Sequence, residues 1–186
     1  MNIDMAALAE SAPHIKTARD WAIAFLKGGG FPLTPDNISV VIAWEKNEGG
    51  HWFNKAAFNP LNTTYHFDAL TSTSKTMGST AIRAYDSWLM GLDASLKTLS
   101  GHGVGYEPIV AALQAGDKPR EAADAIRNSA WGTKNMTLDN TAWYGDMGDW
   151  KTPQTTPGGP GRYLSTAWEL VKGAASPSTA TAHITS

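Results

Sequence analysis

With 186 residues the chain is one domain's worth: long enough to bury a core, too short for a multidomain machine. Its 15 Lys and Arg against 17 Asp and Glu leave a net charge of −2 with the basic residues scattered, which excludes the electrostatic footprint of a nucleic-acid binder. The absence of cysteine excludes a disulfide scaffold, a thiol nucleophile and cysteine-held metals, and no run approaches the ~20 apolar residues that stable membrane insertion needs.

Residues 1–11 hold two acids and no Lys or Arg, unlike the start of a signal peptide, and read as an N-terminal arm; if the protein works outside the cell that makes it, another route of delivery is expected. A first helix is expected over 12–27, where Ile15, Ala18, Trp21, Ala22, Phe25 and Leu26 share a face, Ser11 caps the start and Gly28-Gly29-Gly30 ends it. A second runs from Thr34 as cap and Pro35 as first helical residue, through Ile38, Val41 and Ile42, to Glu48, where Gly49-Gly50 stops it. Between 51 and 85, Asn, Thr, Ser, Gly and Pro replace the apolar period, predicting a loop-rich lobe with one small hairpin from extended segments at 63–67 and 81–85. Helical periodicity returns with Leu89, Leu92, Leu96 and Leu99 behind Asp86-Ser87, and again over 107–115 and 118–129, the last entered through Asp117 and Pro119. The stretch 132–161 is rich in Gly, Pro, Trp and Thr without a period, a last amphipathic helix is expected at 163–172, and 174–186 reads as a low-complexity tail or linker. The domain proper is thus expected to span 12–173.

The sharpest chemical feature is Trp44-Glu45-Lys46-Asn47-Glu48-Gly49-Gly50, which sets acids in the last turn of an apolar helix. A helix C-terminus carries partial negative charge, which raises the pKa of an acid there, and any apolar lining from Trp44, Val41 or Trp52 would add desolvation in the same direction, as a carboxylic acid needs if it is to stay protonated near neutral pH. Such an acid suits glycosidic-bond cleavage. Periodicity favours Glu45 as the buried member, seven residues from Ile38 and three from Ile42, whereas position beside the flexible glycines favours Glu48 as the one a ligand reaches. Two solvated acids in a frayed last turn would fit the spacing as well.

Competing chemistries find little support. His51, His66 and Asp68 invite comparison with a zinc site, but no His-Glu-x-x-His is present, and His14, His102 and His183 stand in unrelated contexts; no metal or organic cofactor is expected. The glycines at 28–30 and at 101, 103 and 105 precede no Lys-Ser/Thr and join no strand to a helix, so they are not phosphate loops. A Gly-x-Ser-x-Gly nucleophile elbow does not occur.

The run Ala43 to Gly49, followed by Phe58-Asn59-Pro60-Leu61-Asn62-Thr63-Thr64, resembles phage-encoded lysozyme-like cell-wall hydrolases. Ile82-Arg83-Ala84-Tyr85-Asp86-Ser87-Trp88, then Gly91-Leu92 and Leu96-Lys97-Thr98-Leu99, resembles a segment of bacterial glucosaminidase-like domains. Tyr106, Ile109, Leu113 and Gly116, then Ala125-Ile126 and Ser129-x-Trp131-Gly132-Thr133, continue the likeness, which covers residues 15–135. The resemblance implies an α+β, mainly α, lysozyme-like fold in which a small β-hairpin lobe and a helical lobe flank a cleft. It places the general acid at Glu48 and implies cleavage of β-1,4 links in peptidoglycan by a lysozyme or lytic transglycosylase, with a glucosaminidase less favoured. Asn59, Asn62, Thr63 and Thr64 would line the groove, joined by Tyr85, Tyr106 and Trp131, each of which fits a core role equally well. Asp68 and Asp86 are the candidates for a second carboxylate, although Asp86 also fits a helix cap. The implied partners are peptidoglycan glycan strands and other phage tail proteins or a holin-dependent export route, with the protein in a virion tail or an infected cell. A non-catalytic glycan-binding or structural module of a phage tail is the alternative.

Overall fold

A computed structural model of the chain describes residues 1–67, 81–101 and 105–138, with the backbone of 75–76. The expected helix at 163–172, the tail from 174, Asp68, His102, His183 and most of the 132–161 segment lie outside these residues. In chain order the elements are α1 (Met5–Ser11), a 3-10 turn (Ala12–His14), α2 (Ala18–Gly28), α3 (Pro35–Glu48), β1 (Lys75–Thr76), β2 (Arg83–Ala84), α4 (Trp88–Leu99), α5 (Glu107–Ala115) and α6 (Pro119–Asn128). The domain is mainly helical.

Helix α3 is the centre, and its ends follow from local chemistry. Thr34 accepts from the Asn37 amide, Pro35 fills the first turn where no amide hydrogen bond is lost, and Gly49 closes the helix in the left-handed region at φ 67°. Between those ends Val40, Val41, Ile42, Ala43, Trp44 and Glu45 are all buried, so the helix is covered on nearly every side, as a central helix must be. It packs against α2 and α6, while α1 and α4 pack on α2 and α5 packs on α6. Phe25 bridges the layers, stacked on Trp21 at 5.1 Å and edge-on to Trp44 at 6.4 Å. Asn37 ties the start of α3 to the end of α5, donating to the carbonyls of Pro32 at 2.9 Å and Leu113 at 2.7 Å.

Three expectations are corrected. The first helix does not run over 12–27: Pro13 sits in a 3-10 turn, and α2 starts only after Thr17, which exchanges capping bonds with Asp20. The Thr17-x-x-Asp20 capping box outcompetes the weaker Ser11 start. Residues 1–11 are no arm, because α1 buries Leu8 in the main core. Nor is there a hairpin lobe: among the described residues the sheet is β1 against β2, two residues each, and 63–67 joins no strand. A side chain links it to β2 where a full ladder was expected. The buried Asn59 carboxamide accepts from the Thr63 amide at 2.9 Å and donates to the carbonyls of Thr63 at 2.9 Å and Arg83 at 2.7 Å. One main-chain bond also joins the two segments, the Arg83 amide of β2 donating to the Thr63 carbonyl at 3.2 Å, so the carboxamide supplements a single rung where a longer ladder was expected.

Candidate active site

Three segments meet at the end of α3. Gly49 lets the chain leave the helix, its amide still bonded to the Glu45 carbonyl at 2.8 Å. Gly50 then lies against 59–62, donating to the Pro60 carbonyl at 3.2 Å. Asn62, itself at φ 52°, donates to the main-chain oxygen of Glu48 at 2.6 Å, one of the orphan carbonyls that every helix end must satisfy. The same amide stands 3.4 Å from Glu48 Oε2, and Asn62 Oδ1 accepts from Asn54 at 3.1 Å.

The third segment follows α6. Trp131 donates its indole N–H to the Leu61 carbonyl at 2.9 Å, and Arg127 holds the Met136 carbonyl at 2.7 Å. Thr133 is buried between two partners, Trp44 and Glu48. The Trp44 indole can only donate, and does so to Thr133 Oγ1 at 3.1 Å; the hydroxyl proton therefore goes to Glu48 Oε1.

Glu48 is half-buried, and loss of hydration is the main influence on its carboxyl, raising its pKa above the ordinary value; the bonds from Thr133 and Asn62 pull the other way. With Oε1 accepting from Thr133, the acidic proton belongs on Oε2, whose described contact is the long one to Asn62. Thr133→Val removes a bond that favours the ionised form. The titration midpoint of Glu48, read by NMR of a carboxyl-labelled sample, is expected to move up, against no movement in Thr133→Ser.

The two glutamates have parted as the helical wheel and the glycines separately indicated. Glu45 is 0% exposed, its Oε2 accepting from the Trp52 indole at 2.6 Å. Burial raises its pKa well above the ordinary value, and the Trp52 bond only partly opposes that. Glu45 belongs to the interior; Glu48 stands at its edge.

The other sequence-derived candidates divide. Asn62 touches Glu48, Thr64 is exposed, and Trp131 and Tyr106 are half-buried, their rings tilted against each other at 5.3 Å, with Trp131 edge-on to Trp44 at 4.7 Å. Burial pushes the Tyr106 hydroxyl up. Asn59, Thr63 and Tyr85 are interior. Tyr85 is 1% exposed and donates its hydroxyl to the Tyr65 carbonyl at 2.8 Å, within a small second core of Phe67, Met90 and Ala94. Asp86 precedes the α4 cap, which is Ser87. His51 is a structural residue: Nδ1 accepts from the Phe58 amide at 2.8 Å, Trp52 and Trp88 enclose the ring, and burial lowers its pKa to about 4. His66 is exposed, and no group of three metal-ligating side chains occurs among the described residues.

Two residues near Glu48 escape a reading of the sequence. Thr133 stands there only as the end of an aromatic-Gly-Thr run, with nothing to pair it with a helix 85 residues earlier. Phe53 is 60% exposed, and its ring lies over Gly49, 3.5 Å from the point where a Cβ would stand. An aromatic shortly after a Gly-Gly turn is its available signal. A separate hollow of about 180 Å³ lies beside α1 and α2, but its Asp20 is committed to the capping box. No helix among the described residues is long and apolar enough to cross a membrane. No protein family, curated protein or solved structure matches the chain.

Proposed function

We propose that the protein cleaves β-1,4 glycosidic bonds in bacterial peptidoglycan, with Glu48 as general acid. The observation that carries this is the state of that one side chain: a half-buried carboxyl whose pKa burial raises, one oxygen fixed by Thr133, the other left to carry the proton. A glycosidase needs an acid that keeps its proton near neutral pH and delivers it to the bridging oxygen while the sugar flattens toward an oxocarbenium ion. The Glu48 Oε2–H bond would break as the bridging oxygen gains the proton and its bond to the anomeric carbon opens. Exposed Phe53 offers an apolar ring to a sugar face, the Tyr106–Trp131 pair offers another, and Thr64 offers a hydroxyl to acetamide or sugar hydroxyl groups.

The fate of the anomeric carbon separates two enzymes. Attack by water gives reducing ends, whereas attack by the muramic acid 6-hydroxyl gives anhydro ends and calls for no second carboxylate nucleophile. The setting that fits is a phage lysozyme-like enzyme, an endolysin let out through a holin or a lysin carried in a virion tail.

Mass spectrometry of purified walls digested with the full chain tests the proposal. Soluble muropeptides with new reducing or anhydro ends are expected. Walls that retain the protein yet release nothing would favour a non-catalytic glycan-binding or structural tail module, the role that an exposed aromatic surface alone could serve.

A further inference from the structure

A carboxyl in the core of a small domain is a costly choice, and replacing it with an apolar residue of similar volume is often neutral or stabilising. Glu45 is nonetheless 0% exposed, and its Oε1 has no hydrogen-bond partner among the described residues. What the carboxyl does hold is Trp52, through the 2.6 Å bond from the indole to Oε2. Trp52 lies inside the turn at 50–53 that also carries Phe53, and Asn54 follows that turn directly. From Asn54 the contacts lead back: its side-chain amide donates to Asn62 Oδ1 at 3.1 Å, and Asn62 donates to Glu48, at 2.6 Å to the main-chain oxygen and 3.4 Å to Oε2. The path starts on one glutamate of the last turn of α3 and ends on the other.

We propose that Glu45 is a positioning residue of the site: by anchoring Trp52 it fixes the 52–54 segment, and through Asn54 and Asn62 it sets the contact that Glu48 receives at Oε2. This rests on the reading of Glu48 as the general acid. An acceptor in the core is what the role requires, and a negative charge is not. A glutamine in place of Glu45 would serve, because its carbonyl oxygen accepts from the indole equally well. A methionine would fill the space and lose the anchor. The groups that also bear on these two glutamates are Thr133, bonded to Glu48, and the neutral His51 packed on Trp52.

The test uses the full chain labelled at the Glu carboxyls and the Trp indoles. In Glu45→Met the Trp52 indole N–H is expected to exchange with solvent faster, and the titration midpoint of Glu48 to rise, because Asn62 no longer steadies the ionised form at Oε2. On cell walls kcat is expected to fall about 10- to 100-fold with KM within about twofold, the scale of a small misplacement of a reacting group. Glu45→Gln is expected to match wild type in all three readouts. The double variant E45M/W52F removes both polar partners, leaves neither buried and unpaired, and keeps the question answerable if the single variant folds poorly. A Glu48 midpoint unchanged in both apolar variants would overturn the inference, as would Glu45→Gln behaving like Glu45→Met. If the wild type releases no muropeptides the proposed activity falls, while the midpoint comparison still decides whether Glu45 positions Glu48.

Discussion

Glu48→Gln is expected to slow release of muropeptides from cell walls by about 10²- to 10⁴-fold, the range supplied by a positioned general acid. The substitution is close to isosteric. A glutamine oxygen can still accept from Thr133, so the loop after α6 keeps its hold on α3, but the amide that replaces Oε2 has no proton to give at that acidity. Loss of activity without loss of fold is therefore the signature, and stability supplies an independent sign. Burial raises the folded-state pKa of Glu48 above its ordinary value. Between the unfolded and folded values the native state binds more protons than the unfolded chain, so this group's contribution makes stability fall as pH rises through that window. The amide of the variant carries no such penalty. Its melting temperature relative to wild type is expected to be higher at about pH 8 than at about pH 4, with the change falling between the two pKa values. Equal wall clearing by both proteins would move the acid elsewhere. A melting difference independent of pH would mean that Glu48 keeps an ordinary pKa in the fold.

The parts of this site that can be read from sequence are those encoded within a few residues. Thr34, Pro35 and Gly49 mark both ends of α3, and the seven-residue interval from Ile38 puts Glu45 inside, so the fate of the two glutamates follows from local spacing. What surrounds Glu48 is harder to see. The Thr133 contact closes a loop of 85 residues, and no local preference of threonine announces a partner that distant. The polar residues of 59–64 mislead for a different reason. The resemblance puts the four polar residues of that run, and Tyr85 beyond it, along the groove, yet Asn59, Thr63 and Tyr85 are buried, because irregular main chain inside a protein still needs donors and acceptors. A carboxamide that makes three main-chain bonds does part of what a strand would do there, beside the single main-chain bond from the Arg83 amide to the Thr63 carbonyl. Only Asn62 of that group reaches the acid, through a backbone conformation at φ 52° that asparagine tolerates better than most residues.

The adjacent glycines separate two ways in which this site depends on glycine, and the second has the larger expected effect on the fold. Gly49 is needed for its conformation: at φ 67° a side chain is strained, but a Cβ would meet only Phe53 at an ordinary 3.5 Å. Gly49→Ala is therefore expected to cost about 1–2 kcal/mol, the usual penalty for the left-handed region. Gly50 is needed for space. A Cβ there would stand 2.1 Å from the Asn59 carbonyl oxygen, 2.6 Å from Asn62 Oδ1 and 2.7 Å from the Pro60 carbonyl oxygen. Two of those atoms are main chain and cannot rotate aside, so relief requires the whole 59–62 segment to retreat from the end of α3. That retreat breaks the Gly50–Pro60 bond and carries Asn62 off the Glu48 carbonyl, exposing a helix end and loosening the acid together. Gly50→Ala is expected to destabilise by about 3 kcal/mol, the upper part of the range for overpacking, and to lower the melting temperature by about 6–12 °C. Wall cleavage is expected to drop about 100-fold even at temperatures where the variant is fully folded, because the loss arises from a displaced Asn62 and not from unfolding. Thermal melts of the two alanine variants, paired with activity measured well below both transitions, separate the cases: Gly49→Ala should lose stability and keep most of its activity, and Gly50→Ala should lose both. An active, stable Gly50→Ala would mean that 59–62 does not press on the helix end, and with it would go the support that Asn62 gives to Glu48.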